Sequence, residues 1–211
     1  MEQAFSELGW SVTGPELQQL REYAALLHRW SQKVNLVAPG DRDSLGTRHL
    51  LPALLMAELV RVVPHRVILD FGSGAGLPGI PLKIVFADSA VVLVESRRRR
   101  TTFLREAVRS LGLEQVEVVN DRIEHWTPPA SGVDVVVTRA AAAPEKLARL
   151  AGPCLSAHGV LLTTLAPRNE RPVTGVVLLH QTRVACCAGE ITMGMLVKRQ
   201  AETATGTLDA T

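Results

Sequence analysis

The stretch Val67-Ile68-Leu69-Asp70-Phe71-Gly72-Ser73-Gly74-Ala75-Gly76-Leu77-Pro78-Gly79 decides how this chain is read. Residues 67–71 form a short, mostly apolar run of the kind that makes a buried strand. The glycines that follow make a turn in which backbone can approach a ligand closely. Read from Gly74, the turn satisfies the G-x-G-x-x-G spacing of dinucleotide sites. Two features count against a dinucleotide. A strand feeding Gly74 directly has to run through Asp70 and Gly72, and Pro78 interrupts the expected helix start, so no helix N-terminus is expected where a pyrophosphate would sit.

Working outward, residues 91–95, 116–120, 133–138 and 159–164 are four further apolar runs, separated by helical stretches at 98–111 and 144–150. Continuous Val/Leu runs alternating with helices indicate parallel strands buried on both faces. Residues 176–181 and 190–199 read as two closing strands with no convincing helix between them. Upstream, Thr13 is placed to cap a helix with Pro15 in its first turn, and Leu17, Leu20, Ala24, Leu27 and Ser31 keep helical spacing. Pro39-Gly40 signals a turn, and a second helical stretch covers 44–63, with a kink or a later start expected near Pro52. The division expected is a helical extension at 1–64, an α/β core at 65–200 and a loose polar tail at 201–211.

Composition narrows the class. The 211 residues are 46% hydrophobic and 21% charged, ordinary for a folded globule. Mean hydropathy is +0.14, yet no apolar run approaches the roughly 18 residues of a membrane helix. The N-terminus shows no secretory signal, so a soluble cytoplasmic protein with no membrane contact is the expectation. The net charge of +2 does not by itself indicate nucleic-acid binding. Cys154, Cys186 and Cys187 lack metal-ligand or disulfide-framework spacing, so they are expected to be reduced, with no metal site.

Asp70 followed by Gly72, Gly74 and Gly76 resembles the first motif of Rossmann-like S-adenosylmethionine methyltransferases. Glu95, 21 residues beyond Gly74, ends the second apolar run, where a carboxylate can accept hydrogen bonds from two ribose hydroxyls. Nicotinamide and methionine-adenosine cofactors share that arrangement, so Glu95 supports the fold more than it selects the ligand.

The longer string from Leu69 to Leu82, ending Leu77-Pro78-Gly79-Ile80-Pro81-Leu82, is similar to the small-subunit ribosomal RNA guanine-N7 methyltransferases, the glucose-inhibited division protein B family. Val34-Asn35-Leu36-Val37, Arg48-His49-Leu50-Leu51, Glu95-Ser96, Phe103-Leu104 and Thr138-Arg139-Ala140 extend the resemblance. It implies an α/β, Rossmann-like class I methyltransferase with a seven-stranded, mostly parallel sheet and an N-terminal helical extension. It also implies S-adenosyl-L-methionine as cofactor, methyl transfer to N7 of one guanine, and 16S ribosomal RNA or the small ribosomal subunit as partner of a monomeric enzyme. The family's cofactor contacts fall on Gly72, Leu77, Ile123, Glu124 and Arg139; Gly74 and Glu95 join them from the reading of the loop and second strand. Three departures stand out. Pro52 occupies an acidic position of the family, Ala141 replaces a larger residue, and Leu165-Ala166-Pro167-Arg168 replaces a Lys-Gly pair, with Arg168 the candidate substitute for that lysine.

The N7 lone pair of guanine is free at neutral pH, so no general base is expected and catalysis is positioning, with Arg139 its main agent. His49 reads as a packing or capping residue. Arg97-Arg98-Arg99-Arg100 is the clearest cluster of charge and, with Arg168, the candidate RNA-phosphate contact; a solvated helix face is the plain alternative. Trp30 and Trp126 are candidates for base stacking or for the core. A same-fold methyltransferase acting on a small molecule or protein, and a non-catalytic nucleotide- or RNA-binding module, remain open at this level.

Overall fold

The computed structural model of the chain describes residues 12–139, 143–165, 176–186 and 189–198. Their elements are, in order, α1 (Gly14–Ser31), a 3-10 turn (Pro39–Ser44), a π-helical turn (Gly46–Leu50), α2 (Leu51–Arg61), β1 (Val67–Phe71), α3 (Gly79–Val85), β2 (Ala90–Val94), α4 (Arg98–Ser110), β3 (Val116–Val119), a 3-10 turn (Ile123–His125), β4 (Val133–Thr138), α5 (Pro144–Ala151), a 3-10 turn (Gly152–Cys154), β5 (Leu155–Leu165), β6 (Val176–Cys186) and β7 (Gly189–Lys198). The seven strands form one sheet in the order β3-β2-β1-β4-β5-β7-β6. Strands β1 to β5 run parallel, and β7 is antiparallel to both β5 and β6. The expected α/β sheet is therefore present, closed by the two consecutive strands that the pattern showed.

Alternation along the strands builds two cores. Ile68, Val91, Leu93, Val135, Val137, Val160 and Leu162 face one cluster, and Leu69, Val92, Val94, Val136 and Leu161 face the other. This is the period-2 rule acting on strands buried on both sides. Residues of α1, α2, α3 and α4 fill the first cluster, while α5 covers the second. The N-terminal helices thus share a core with the sheet. Leu20, Leu27, Leu50 and Leu54 are buried there, each contributing about 1.5–3 kcal/mol relative to exposure.

Local signals explain the helix ends. Thr13 caps α1 through a reciprocal pair: its hydroxyl accepts from the Glu16 amide, and the Glu16 carboxylate accepts from the Thr13 amide at 2.7 Å. Pro52 has no amide hydrogen to donate one turn back, and the chain before it widens into a π-helical turn closed by Leu51 N–H on Gly46 O. The later start expected near Pro52 is what occurs, at Leu51. Strand β5 begins at Leu155, earlier than the apolar run at 159–164, because Ala157 and His158 are exposed and carry no apolar signal. Ala141, Ala166, Arg168, Cys187 and the tail at 201–211 lie outside the described residues. Among the described residues, no helix is long and apolar enough to cross a membrane.

Candidate active site

Strand β1 ends at Phe71, and the chain then turns through three glycines in the left-handed region: Gly72 at φ +67°, Gly74 at +57° and Gly76 at +83°. Only glycine adopts such a series without strain. The turn hangs from the end of β2, because the Gly72 and Ser73 amides both donate to Val94 O, at 2.8 and 3.2 Å. A side chain on Gly76 would collide with Ile80, its Cβ falling 2.5 Å from the Ile80 Cδ1. Among the described residues the space beside Gly72 is open, with nothing within 4 Å of a Cβ there. Helix α3 does begin after the turn, at Gly79, which corrects the expectation that Pro78 prevents a helix start. Its first amide is not available to an anion, since Gly79 N–H donates to Asp70 Oδ2 at 2.9 Å.

Asp70 is 1% exposed. Burial pushes its carboxyl up to about 7, against the opposing pull of the Gly79 amide and the Arg139 guanidinium. Its second oxygen, Oδ1, is buried with no hydrogen-bond partner among the described residues. Arg139, just beyond β4, donates to the carbonyl of His49 at 3.2 Å. Burial draws its pKa down, while Tyr23 and Asp70 draw it up. The His49 ring is only 16% exposed, and its Nε2 lies 3.3 Å from Asp41 Oδ2 without the alignment of a hydrogen bond. Burial and Arg139 both hold the imidazole below its ordinary range, which disfavours a charged His49 at neutral pH.

Glu95 follows the last residue of β2, one position later than a strand end. Its carboxylate accepts from Gly74 N at 3.0 Å and from Arg97 N at 2.8 Å, tying the glycine turn to the start of α4. Arg100 stands 3.7 Å from the same carboxylate and donates to Asn35 O at 3.2 Å. Arg100 is partly exposed, with its guanidinium turned inward between the N-terminal segment and the glycine turn. Arg97, Arg98 and Arg99 are exposed. Trp30 packs edge-on against Phe103, at 5.7 Å between ring centroids, and so belongs to the core.

A cleft of about 300 Å³ opens beside the turn, at the carboxyl ends of β1, β2 and β3. Gly72, Val94, Ser96, Asp121, Arg122, Ile123 and Glu124 line it. Three of the residues expected at a cofactor site, Gly72, Ile123 and Glu124, are brought together here. Gly74 and Glu95, bonded to each other, are not among the cleft's lining residues, nor are the buried Leu77 and Arg139, which reaches toward the His49 carbonyl. Sequence reasoning missed Ser96 and Asp121. Both stand just past a strand's carboxyl end, the position where open α/β sheets receive ligands, and that rule was available as a signal. Among the described residues, no cluster of His, Cys, Asp or Glu is arranged for a metal.

The family described as rRNA small subunit methyltransferase G (GidB) matches residues 16–174. The chain belongs to that family. Among its relatives is the ribosomal RNA small subunit methyltransferase G of Chromobacterium violaceum, 34% identical, with 86% of this chain and 84% of that protein covered. The protein of the same name from Mycobacterium leprae strain TN is 42% identical over 74% of this chain and 63% of its own length. Among solved structures, TrmN from Thermus thermophilus is similar with a TM-score of 0.57 at 20% identity, covering 71% of this chain and 49% of that one. At that identity the likeness speaks for the fold alone.

Proposed function

We propose that this GidB-family protein transfers a methyl group from S-adenosylmethionine to N7 of a guanine in 16S ribosomal RNA. The observation that carries the reading is a coincidence of two facts. The family match covers 16–174, and the cleft at the strand ends is lined by Gly72, Ile123 and Glu124, the positions at which the resemblance puts cofactor contacts. The residues present fit such a group. Open space beside Gly72 admits a ligand against backbone, and the unpartnered Asp70 Oδ1 is a buried acceptor still lacking a donor. Glu95 keeps lone pairs on both oxygens after accepting one amide each, enough for ribose hydroxyls.

Held in the cleft by Gly72, Ile123 and Glu124, S-adenosylmethionine would supply an electrophilic methyl group on its sulfonium for the N7 lone pair. The protein's own part is positioning. Gly72, Gly74, Leu77, Glu95, Ile123 and Glu124 hold the donor, and Arg139, anchored on the His49 carbonyl, holds a fixed charge at the end of β4. No side chain has to remove a proton, because guanine N7 carries none. Arg97, Arg98 and Arg99 project outward near the cleft and are suited to phosphates.

The test is to incubate the protein and radiolabelled S-adenosylmethionine with small ribosomal subunits, and separately with naked 16S ribosomal RNA, that lack the modification. Label on N7 of a single guanine is expected. Turnover on a metabolite or protein with none on RNA would replace this reading by the same-fold rival, and cofactor binding without turnover would replace it by a non-catalytic module.

A further inference from the structure

The chain has a single tyrosine, Tyr23 on α1, and it is fully buried. Its hydroxyl donates to Ala75 O at 2.6 Å, between Gly74 and Gly76 in the glycine turn. The carbonyl of Ala75 and the amide of Gly76 belong to one peptide group, and that amide donates to Ser73 O at 2.7 Å. The peptide is therefore held at both ends. The peptide joining Ser73 to Gly74 is held likewise, by Glu95 on its amide and by the Gly76 and Leu77 amides on its carbonyl. Between these two, the structure shows no hydrogen bond from the Gly74–Ala75 peptide to the described residues. Glycines supply the turn with backbone freedom, so its shape depends on such fixed points.

Burial of a phenol is tolerated when its hydroxyl is bonded, and here the partner is the turn itself. Tyr23 is also far in sequence from what it holds, 52 residues from Ala75. Two other contacts of the N-terminal segment reach the same end of the sheet, Arg100 to Asn35 O and Arg139 to His49 O. Neither is a hydrogen bond to the turn's backbone. That of Tyr23 is.

We propose that Tyr23 is a positioning residue of the cofactor site, holding the Ala75–Gly76 peptide so that the glycine turn is already shaped for its ligand. The N-terminal helix then contributes to cofactor affinity without contacting the cofactor. This rests on the methyltransferase reading and adds a residue to it that acts through backbone.

Removing the hydroxyl alone, in Tyr23→Phe, leaves the ring's packing in place. Calorimetry with S-adenosylmethionine is expected to show a dissociation constant raised about three- to tenfold, the worth of one hydrogen bond. In turnover, KM for the cofactor should rise by a similar factor while kcat at saturation and KM for RNA stay put. A lowered melting temperature with unchanged cofactor affinity well below it would overturn the proposal and leave Tyr23 a plain core residue. A second measurement needs no substitution. Growth on 3-fluorotyrosine labels Tyr23 alone, and its fluorine resonance should shift and saturate along the S-adenosylmethionine titration curve. A resonance unmoved at saturation overturns the proposal even if Tyr23→Phe does not fold. Should the unaltered protein bind no S-adenosylmethionine by calorimetry, the methyltransferase reading fails first and the role of Tyr23 with it.

Discussion

Two neighbouring stretches at the carboxyl ends of the strands, the glycine turn at 72–79 and the arginine run at 97–100, respond differently to folding. Every glycine of the turn does what its type suggests, adopting left-handed backbone or admitting close contact. The arginines do not act as a group. Arg97, Arg98 and Arg99 point to solvent, whereas Arg100 reaches back to Glu95 and Asn35. The lesson is about reach. Glycine acts through its own backbone, within a residue or two, so local sequence is enough. A guanidinium sits at the end of a long chain, and its role depends on which carbonyls and carboxylates the fold brings near.

That contrast can be broken by substitutions. The largest effect is expected for Gly76→Ala, which adds a Cβ 2.5 Å from Ile80 Cδ1 and 3.0 Å from Leu104 Cδ2 at a φ of +83°. Overpacking and left-handed strain together should cost about 2–4 kcal/mol in urea unfolding. Arg99→Ala should stay within about 0.5 kcal/mol of the unaltered protein. Equal losses would erase the distinction between the two stretches.

Asp70 sharpens the same contrast by pH. Its carboxyl titrates near 7 in the folded protein and near 3.8 when unfolded, so the native state binds the extra proton between those values. The stability it contributes is full below about pH 4 and is lost as pH rises through 7. Asp70→Asn should remove this slope, a difference on the order of 4 kcal/mol across that range. Parallel stability-versus-pH curves for the two proteins would show that Asp70 ionises without penalty.

Smaller effects separate the arginines from one another. Arg100→Ala is expected to weaken cofactor binding by about 1 kcal/mol, through the loosened Glu95 carboxylate, as read by calorimetry. Arg98→Ala and Arg99→Ala should leave cofactor binding alone and each flatten the salt dependence of RNA binding by about 0.7–0.9 in log–log slope. If Arg100→Ala changed only the RNA slope, the inward placement of its guanidinium would be wrong for the working enzyme.

Much of the fold was legible because buried strands announce themselves through Val/Leu runs and helices through caps such as Thr13 with Glu16. The turn and Glu95 were legible as well, since they follow strand ends directly, whereas Ile123 and Glu124 came only from the family resemblance. The helix start at Gly79 was not. Pro78 argued against it, but proline lacks only an amide that the first turn leaves unbonded in any case, so it sits naturally at the N-cap here. Ser96 and Asp121 were passed over although both stand just past predicted strand ends, the position where open α/β sheets receive ligands.

Sequence alone determined the α/β order of elements, the glycine turn and the family, because each depends on residue types at short spacing. Tertiary structure alone decided that the N-terminal helices share a core with the sheet, that Arg100 turns inward and that Tyr23 holds Ala75. The hydrogen bonds of Tyr23 to Ala75 and of Arg100 to Asn35 join residues 52 and 65 positions apart in the chain. Nothing in the local pattern encodes such a partner, since a side chain's bond is chosen by what packing brings within hydrogen-bond distance.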